Sequence, residues 1–361
     1  MHIPGEVVKS IRISPRWAVA CILCCAPLIP ATPLVADDGR PTLLDRLRFE
    51  RNITMKTLGG RQFWGDVLFF HEWRIQQNVV TEHYRLLDGD DYRHASGTLE
   101  ECKTKLEEIK KSRQLEPMSG KAVVLVHGII RSSKSFNGMR RRLQQQGYQV
   151  FGFDYPSTRV SIEGAADYLH RTVESLDGIE EINFVVHSMG GLVVRAYLSR
   201  YDDERIGRLA MIGVPNLGAR MADRLKDVFL FKTIYGPAGQ QLVSDPEGLV
   251  SKLAIPDFEF AVIAGGRGNI RGYNPLIPGD DDGTVAVSNT RLPGATDFIV
   301  VSGLHSSLMN NAEVVGHVVR FLNTGRLRES GEAHAIPRPA EEAREEAGRL
   351  HPASSAAESP E

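Results

Sequence analysis

The segment His187-Ser188-Met189-Gly190-Gly191 combines a nucleophilic side chain with neighbours that would suit it to chemistry. It follows the apolar run Ile182–Val186, which is typical of a buried strand, and it begins a predicted helix. A serine at so sharp a turn has a strained backbone and needs small neighbours, which Gly190 and Gly191 provide. The turn would lift the hydroxyl above the sheet, and the free amides of the helix N-terminus would face a developing negative charge. Ser188 is therefore predicted to be a nucleophile.

The alternative role for Ser188 is a helix cap, which is common for a serine that follows a strand. The small residues around the serine favour the nucleophile. One departure from the G-x-S-x-G pattern of such turns is that Val186, and not a glycine, lies two residues before the serine. A β-branched side chain must then fit beneath the turn.

A serine hydroxyl attacks poorly unless a base removes its proton, and the base needs a carboxylate to orient it. His305 directly follows the last apolar strand, Asp297–Val301, which places it at the same edge of the sheet as Ser188. It is the predicted general base. The loop after the preceding strand contains a glycine-flanked acidic run. Asp282, which precedes Gly-Thr-Val, is the first choice for the orienting acid, and Asp281 is the second.

The acidic run could instead be a solvated turn or a calcium site, because three adjacent carboxylates suit a hard cation. No other metal site is indicated, since the chain without its N-terminal segment keeps only Cys102 and has no CxxC pair and no cluster of cysteine and histidine residues. We therefore predict neither a metal nor a cofactor for this chemistry.

A second motif, the His-Gly-Ile run at 127–129, ends an earlier predicted strand. A tight turn at Gly128 would direct the backbone amide of Ile129 toward the serine. There it would pair with the amide of Met189 to form an oxyanion hole. His127 could be mistaken for the catalytic base, but we expect it to brace this loop by hydrogen bonds.

These residues need a scaffold that brings several strand ends together. From residue 121 onward, apolar strands alternate with amphipathic helices, a pattern that predicts a mostly parallel sheet with helices on both faces. Before it, strands predicted within 67–76 and 82–87 would form an antiparallel edge of a sheet. A helix follows over Thr98–Arg113, with Thr98 as its cap. The predicted fold class is therefore α/β.

Outside this region the composition changes. Residues 1–36 place basic residues before an apolar run of about thirteen residues, which predicts an export signal or an uncleaved N-terminal anchor. We expect a linker at 37–64, the catalytic domain at 65–325, and a disordered tail at 326–361, where large apolar residues are few. The protein is thus expected to be periplasmic or secreted, and any membrane proximity would come from the N-terminal segment.

Residues 216–256 interrupt the alternation of strands and helices. We interpret them as a short helical cap or lid above the sheet. The alternative is an ordinary crossover helix with a long return loop. The apolar cluster at 228–231 is flanked by cationic residues, and within it Phe229 or Phe231 is predicted to face the substrate pocket.

The overall composition is that of a globular protein, 42% hydrophobic and 24% charged, and 361 residues can form one large α/β domain. The net charge of −2 gives no indication of a nucleic-acid partner. Three of the four cysteines lie in the N-terminal apolar run, so cleavage of that segment would leave only Cys102 and no internal disulfide.

The chain resembles the α/β-hydrolase superfamily and, within it, the bacterial lipases and esterases. The resemblance covers residues of about 65 to 325. It rests on HGI at 127–129, HSMGG at 187–191, GVPNLG at 213–218, DDGTV at 281–285 and the lone His305. It implies an α/β-hydrolase fold and hydrolysis of carboxylic esters, small-molecule or lipid, without a cofactor. The implied triad is Ser188, Asp282 and His305, with Ile129 and Met189 as oxyanion donors.

Two other functions remain open at this point. An acyltransferase would use the same residues but pass the acyl group to another alcohol or to an amine. A non-catalytic scaffold could retain the serine turn by descent, although the presence of base, acid and both oxyanion positions argues against it. The natural ester does not follow from analogy between folds.

Overall fold

A computed structural model describes residues 54–57, 61–218, 237–239, 241 and 248–338. The predicted export signal or anchor lies outside these residues, as does most of the predicted lid. Export and the lid therefore stay predictions. Within the described ranges, none of the helices is both long enough and apolar enough to cross a membrane.

An antiparallel sheet precedes a parallel one along the chain. Its strands are β1 Met55–Lys56, β2 Trp64–Phe70, β3 Trp73–Asn78, β4 Tyr84–Leu87 and β5 Tyr92–Gly97, and their spatial order is β1-β5-β4-β3-β2. Strand β1 lies in the stretch that was predicted to be a linker. The sheet is antiparallel throughout its described pairings.

The strands are antiparallel as predicted, but the prediction that they form the edge of a sheet is wrong, because they make a sheet of their own. The pairing of β2 with β3 is interrupted by a register shift between Asp66 and Leu68. At this irregularity the amide of Asp66 donates to the carbonyl of Asp154, at 2.8 Å, just beyond the parallel sheet. This contact links the two sheets without continuing the ladder from one into the other.

Helix α1, Leu99–Arg113, packs against β4 and β5 and begins where the sequence predicts. The Thr98 hydroxyl accepts from the amide of Glu101, and the Glu101 carboxylate accepts from the amide of Thr98. This reciprocal capping box satisfies two amides at the helix N-terminus. The apolar face predicted from the spacing is buried at Cys102, Leu106 and Ile109.

The parallel sheet has the spatial order β11-β10-β9-β8-β6-β7. Its strands are β6 Gly120–Val126, β7 Gln149–Phe153, β8 Ile179–His187, β9 Ile206–Ile212, β10 Phe260–Gly266 and β11 Asp297–Ser302. The α-helices described after α1 are α2 Asn137–Gln144, α3 Ile162–Glu174, α4 Met189–Leu198, α5 Leu249–Lys252, α6 Val287–Thr290 and α7 Ala312–Thr324. All described neighbours in this sheet run parallel, which confirms the predicted α/β fold class.

Side chains of the parallel strands alternate between two apolar clusters, one on each face of the sheet. In β6, Val124 and Val126 belong to one cluster, whereas Val123 and Leu125 belong to the other. Helices α3 and α4 contribute to the first cluster, and α2 and α7 contribute to the second. Because helices cover both faces, the strands are continuous apolar runs and do not alternate with polar residues.

The prediction of a disordered tail is wrong for residues 326–338, which pack against the domain. Leu327 is fully buried, and its amide donates to the carboxylate of Asp297 at 2.9 Å. Ile336 is also buried and exchanges backbone hydrogen bonds with Gly294 and Ala295. Large apolar residues are indeed few here, but these two and one buried carboxylate are enough to hold the segment in place.

A buried charge cluster of Asp66, Arg74 and Asp154 lies where the two sheets meet. Oδ1 of Asp66 accepts from the Gln76 side-chain amide at 2.7 Å, and Oδ2 accepts from the Asp154 backbone amide at 2.6 Å. Arg74 pairs with the Asp154 carboxylate at 3.0 Å. Burial raises the pKa of Asp66 to about 7, because the loss of water and the repulsion of Asp154 outweigh the attraction of Arg74.

Asp66→Asn is expected to remove a pH dependence of stability. Because the pKa of Asp66 rises from 3.8 in the unfolded chain to about 7 in the fold, its stabilising effect is complete below pH 3.8. That effect is lost as the pH rises through 7. Between about pH 4 and 8 the free energy of unfolding of the wild type should therefore fall by roughly a few kcal/mol relative to that of the variant. Its Tm should fall with it. Thermal melts followed by circular dichroism test this, and parallel curves for the two proteins would contradict it.

Candidate active site

The structure brings Ser188, His305 and Asp282 into one hydrogen-bonded row. The Ser188 hydroxyl lies 2.9 Å from Nε2 of His305, and Nδ1 of the same ring lies 2.6 Å from Oδ2 of Asp282. The Asp282 side chain is buried, whereas 12% of the His305 side chain is exposed. The three residues follow the C-terminal ends of β8, β11 and β10, so one edge of the parallel sheet positions all of them.

Ser188 has the strained backbone that the sequence predicts, with φ 55° and ψ −131°. A Cβ atom on Gly190 would lie 2.4 Å from the carbonyl oxygen of Val126, and one on Gly191 would lie 2.5 Å from a valine after β9. Glycine is therefore required at both positions, because neighbouring residues lie too close to leave room for a Cβ atom. Val186, the departure from the pattern, is fully buried at the end of β8.

The carboxylate of Asp282 is held on both sides. Its Oδ1 accepts from the amides of Thr284 and Val285, at 3.0 and 2.7 Å, which leaves Oδ2 for the ring of His305. The backbone adds a further link, because the His305 amide donates to the Asp282 carbonyl at 2.8 Å. The carboxylate is thus oriented before any substrate arrives.

The other two carboxylates of the acidic run have separate backbone donors. Asp281 accepts from the amides of Asn274 and Gly283, and Asp280 accepts from the amides at 267 and 268. The structure therefore brings Asp282, and not Asp281, to the histidine. Among the described residues there is no group of three acidic, cysteine or histidine side chains that could hold a metal.

The loop after β6 passes beside the serine. A Cβ atom on Gly128 would lie 2.8 Å from Cβ of Ser188, so only glycine allows this approach. The Arg131 amide donates to the Gly128 carbonyl at 3.2 Å and closes a turn with Ile129 at its second position. Within the described chain, the amides of Ile129 and Met189 donate to no protein acceptor. For the amide of Met189 this is expected, because it is the first residue of α4.

His127, the residue before Gly128, contacts the Gly128 carbonyl, Tyr155 and Asp154. Its Nδ1 is 2.7 Å from the Gly128 carbonyl, its ring stacks on Tyr155 at 4.4 Å, and Nε2 is 3.7 Å from Asp154. The Tyr155 hydroxyl in turn donates to the His127 carbonyl at 2.7 Å. These contacts are consistent with the bracing role predicted for His127.

A family model described as the alpha/beta hydrolase fold matches residues 121–256. This segment contains β6 to β9 and the serine turn of the parallel sheet. The chain has the α/β-hydrolase fold, and residues 121–256 match that family. The fold implied by the sequence resemblance is thereby confirmed.

Known ester hydrolases are among the proteins similar to this α/β hydrolase. A triacylglycerol lipase of Pseudomonas fragi is 30% identical over 116 residues, which are 30% of this chain and 39% of the lipase. The match therefore spans well under half of that relative. The propeptide form of a Bacillus licheniformis lipase is 21% identical with a TM-score of 0.46, over 62% of this chain and 54% of that one. A malate-bound esterase from Thermogutta terrifontis is 16% identical with a TM-score of 0.40, over 58% of this chain and 92% of the esterase.

His187 is a member of the hydrolase's site to which the sequence assigned no role. Its Nε2 lies 2.9 Å from the backbone carbonyl of His305, and the two imidazole rings are 4.7 Å apart. Burial, reinforced by the nearby His305, lowers the pKa of His187 well below its ordinary value, so the ring is neutral and Nε2–H donates. Its position directly before Ser188 was the one sequence signal that His187 belongs to the site. Its hydrogen-bond partner is a backbone carbonyl, which no sequence motif indicates.

The predicted acyl-site residues Phe229 and Phe231 lie outside the described residues. Three apolar residues that are described lie in loops at this edge of the sheet. Ile130, Leu217 and Leu304 are about half exposed, in loops at the same edge of the sheet as Ser188. Large apolar residues exposed around a polar site are typical of a surface that receives an apolar ligand.

Proposed function

We propose that the hydrolase cleaves carboxylic esters through an acyl-enzyme formed on Ser188. The observation that carries this proposal is the continuous row of hydrogen bonds from Asp282 through His305 to Ser188. The free amides of Ile129 and Met189 beside the row supply the second requirement for acyl transfer. The similarity to a triacylglycerol lipase and the apolar residues around the site support an ester with an apolar acyl part.

The chemistry follows from the direction of each hydrogen bond. As the Ser188 oxygen bonds to the ester carbonyl carbon, its proton passes to Nε2 of His305, and Asp282 stabilises the resulting imidazolium through Nδ1–H. The carbonyl oxygen becomes an oxyanion that accepts from the amides of Ile129 and Met189. His305 then returns the proton to the departing alcohol. Water, activated by the same nitrogen, releases the acid and restores the serine.

Covalent labelling tests this proposal directly. A fluorophosphonate should modify Ser188, with the adduct located by peptide mass spectrometry, and labelling should abolish turnover of nitrophenyl esters. A non-catalytic scaffold would neither label nor turn over ester. With an acceptor alcohol added during turnover, the amounts of transfer product and hydrolysis product can be compared. If transfer dominates, the protein is an acyltransferase that uses the same residues.

The acyl selectivity is proposed to come from Phe229 and Phe231. Ester hydrolysis needs only the row and the two amides, so preference among acyl chains must come from surrounding surfaces. Each methylene buried there would contribute up to about 0.8 kcal/mol, or about fourfold in kcat/KM. We expect short and medium chains to be favoured until the pocket is full.

Phe229→Ala and Phe231→Ala test this selectivity. At least one variant should flatten the dependence of kcat/KM on acyl length, measured with a series of nitrophenyl esters. Tyr92→Ala, which removes an exposed ring from β5 in the other sheet, is the matched control. If both phenylalanine variants keep the wild-type profile, the crossover-helix interpretation of 216–256 stands.

A further inference from the structure

The turn that presents the Ile129 amide contains a residue in an unfavourable conformation. Ile130 has φ 61°, which is rare for a β-branched side chain. The residue is 46% exposed, so packing in the core does not account for the strain. The positive φ at the third position, closed by the hydrogen bond from the Arg131 amide to the Gly128 carbonyl, is the arrangement of a type II turn. Glycine or asparagine is the usual residue at that position.

A set of side-chain hydrogen bonds holds both ends of the strained residue. The Ile130 amide donates to the Ser157 hydroxyl oxygen at 3.1 Å, and that hydroxyl donates to Oε1 of Gln62 at 3.1 Å. Nε2 of Gln62 also contacts this turn, because it donates to the Arg131 carbonyl at 3.4 Å. Thr158 donates its hydroxyl to the same Oε1 at 3.1 Å, which fixes the orientation of the Gln62 amide.

The hydrogen bond to Ser157 acts on the peptide unit that decides the turn type. Rotation of the peptide between Ile129 and Ile130 would convert the type II turn to type I and return Ile130 to a negative φ. The N–H of that peptide is the one that Ser157 accepts, and Ser157 is fully buried, so no water replaces it readily. The bond therefore opposes the rotation that would relieve the strain.

We propose that Ser157 and Gln62 are positioning residues that hold the Ile129 amide in place for the oxyanion. Gln62 belongs to the segment Arg61–Phe63 before β2, outside the part of the chain that matches the family model. Ser157 follows β7. The N-terminal antiparallel region thus contributes to the reaction through the loop after β6. This inference rests on the proposed function, because Ile129 matters in this way only if an oxyanion forms beside Ser188.

Ser157→Ala and Gln62→Leu test the proposal by steady-state kinetics on a nitrophenyl ester. We expect kcat to fall about tenfold in each, less than the 10²- to 10³-fold loss for removing an oxyanion donor, because the amide is displaced and not deleted. KM should change by less than about twofold, since the transition state is affected more than the ground state. The pH profile of kcat/KM should be unchanged, because the row from Asp282 to Ser188 is intact.

Ser175→Ala is the matched control. Like that of Ser157, its hydroxyl accepts from a backbone amide, that of Phe69 at 2.9 Å, and it donates to the Thr172 carbonyl at 2.7 Å. It lies before β8, at the opposite end of the strand from the serine turn. Its loss should lower Tm as much as that of Ser157 and leave kcat unchanged.

A replacement that tolerates the strained backbone gives a second, independent readout. Asparagine adopts positive φ readily, so Ile130→Asn should keep the turn without the brace. In that background Ser157→Ala should lower kcat by less than about threefold. Wild-type kcat in both Ser157→Ala and Gln62→Leu, or an undiminished loss in the Ile130→Asn background, would overturn the inference. Either result would leave ester hydrolysis intact, whereas wild-type protein that fails to label at Ser188 would remove the proposed function itself.

Discussion

Ser188→Ala is expected to lower kcat by about 10⁴-fold or more while the protein remains folded. The hydroxyl oxygen contacts Nε2 of His305, so its removal deletes the nucleophile without leaving a buried backbone group unpaired. Alanine has the same Cβ atom as serine and meets the same strain at φ 55°. The helix that begins at Met189 should form as before. The remaining rate would reflect substrate binding and the two oxyanion amides alone.

The measurement is kcat on a nitrophenyl ester, together with Tm and fluorophosphonate labelling. Ser199→Ala provides the matched control at the other end of α4, where the hydroxyl donates to the Arg195 carbonyl at 2.9 Å. That variant should retain wild-type kcat and label normally. If Ser188→Ala kept more than a tenth of the wild-type activity, the serine would be misassigned.

The parts of the site that could be predicted from sequence are those whose position depends on strand ends. Parallel strands bring their C-terminal ends to one edge, so residues that directly follow such strands must lie near one another. Ser188 and His305 each follow a strand in this way. Asp282 comes later in a long loop, and its choice over Asp281 depended on the local Gly-Thr-Val pattern. The structure brings that residue to the histidine.

The parts that could not be predicted depend on contacts between segments far apart in the chain. Gln62 and Ser157 meet the turn at Ile130 across separations of 69 and 27 residues, and none of the three belongs to a recognisable motif. The strain at Ile130 carries no sequence signal either, because isoleucine normally indicates a strand. His187 likewise acts on a backbone carbonyl 118 residues away.

The incorrect fold predictions have a similar physical origin. Strands predicted within 67–76 and 82–87 coincide with parts of β2, β3 and β4, but a local sequence pattern does not say which sheet a strand joins. Composition predicted disorder after residue 325, yet burial of Leu327 and hydrogen bonds to Asp297 hold the next thirteen residues or so against the domain. The average composition of a segment does not indicate whether one or two of its residues make contacts that order it, as Leu327 does here.

Asp282→Asn is expected to lower kcat by about 10⁴-fold, whereas Asp281→Asn should change it by less than about threefold. The Asp282 oxygen Oδ1 accepts from the amides of Thr284 and Val285, so the asparagine oxygen should take that place and its NH₂ group should face Nδ1 of His305. Nδ1 must then accept instead of donate, which puts the ring proton on Nε2. A protonated Nε2 cannot remove the hydroxyl proton of Ser188, and the wrong tautomer blocks the attack.

Asp281 offers a closely matched control for this argument. It is buried to the same extent as Asp282 and also accepts backbone hydrogen bonds, but its partners are the amides of Asn274 and Gly283. Asparagine can keep those bonds through its oxygen, so the effect should appear in Tm more than in kcat. The comparison uses kcat/KM across pH, with and without added calcium. Equal activity in the two variants, or recovery of Asp282→Asn by calcium, would make the acidic run a structural or cation-binding loop. A large loss confined to Asp282→Asn instead requires a single carboxylate acting through the imidazole, because charge, burial and loop position are shared by both residues.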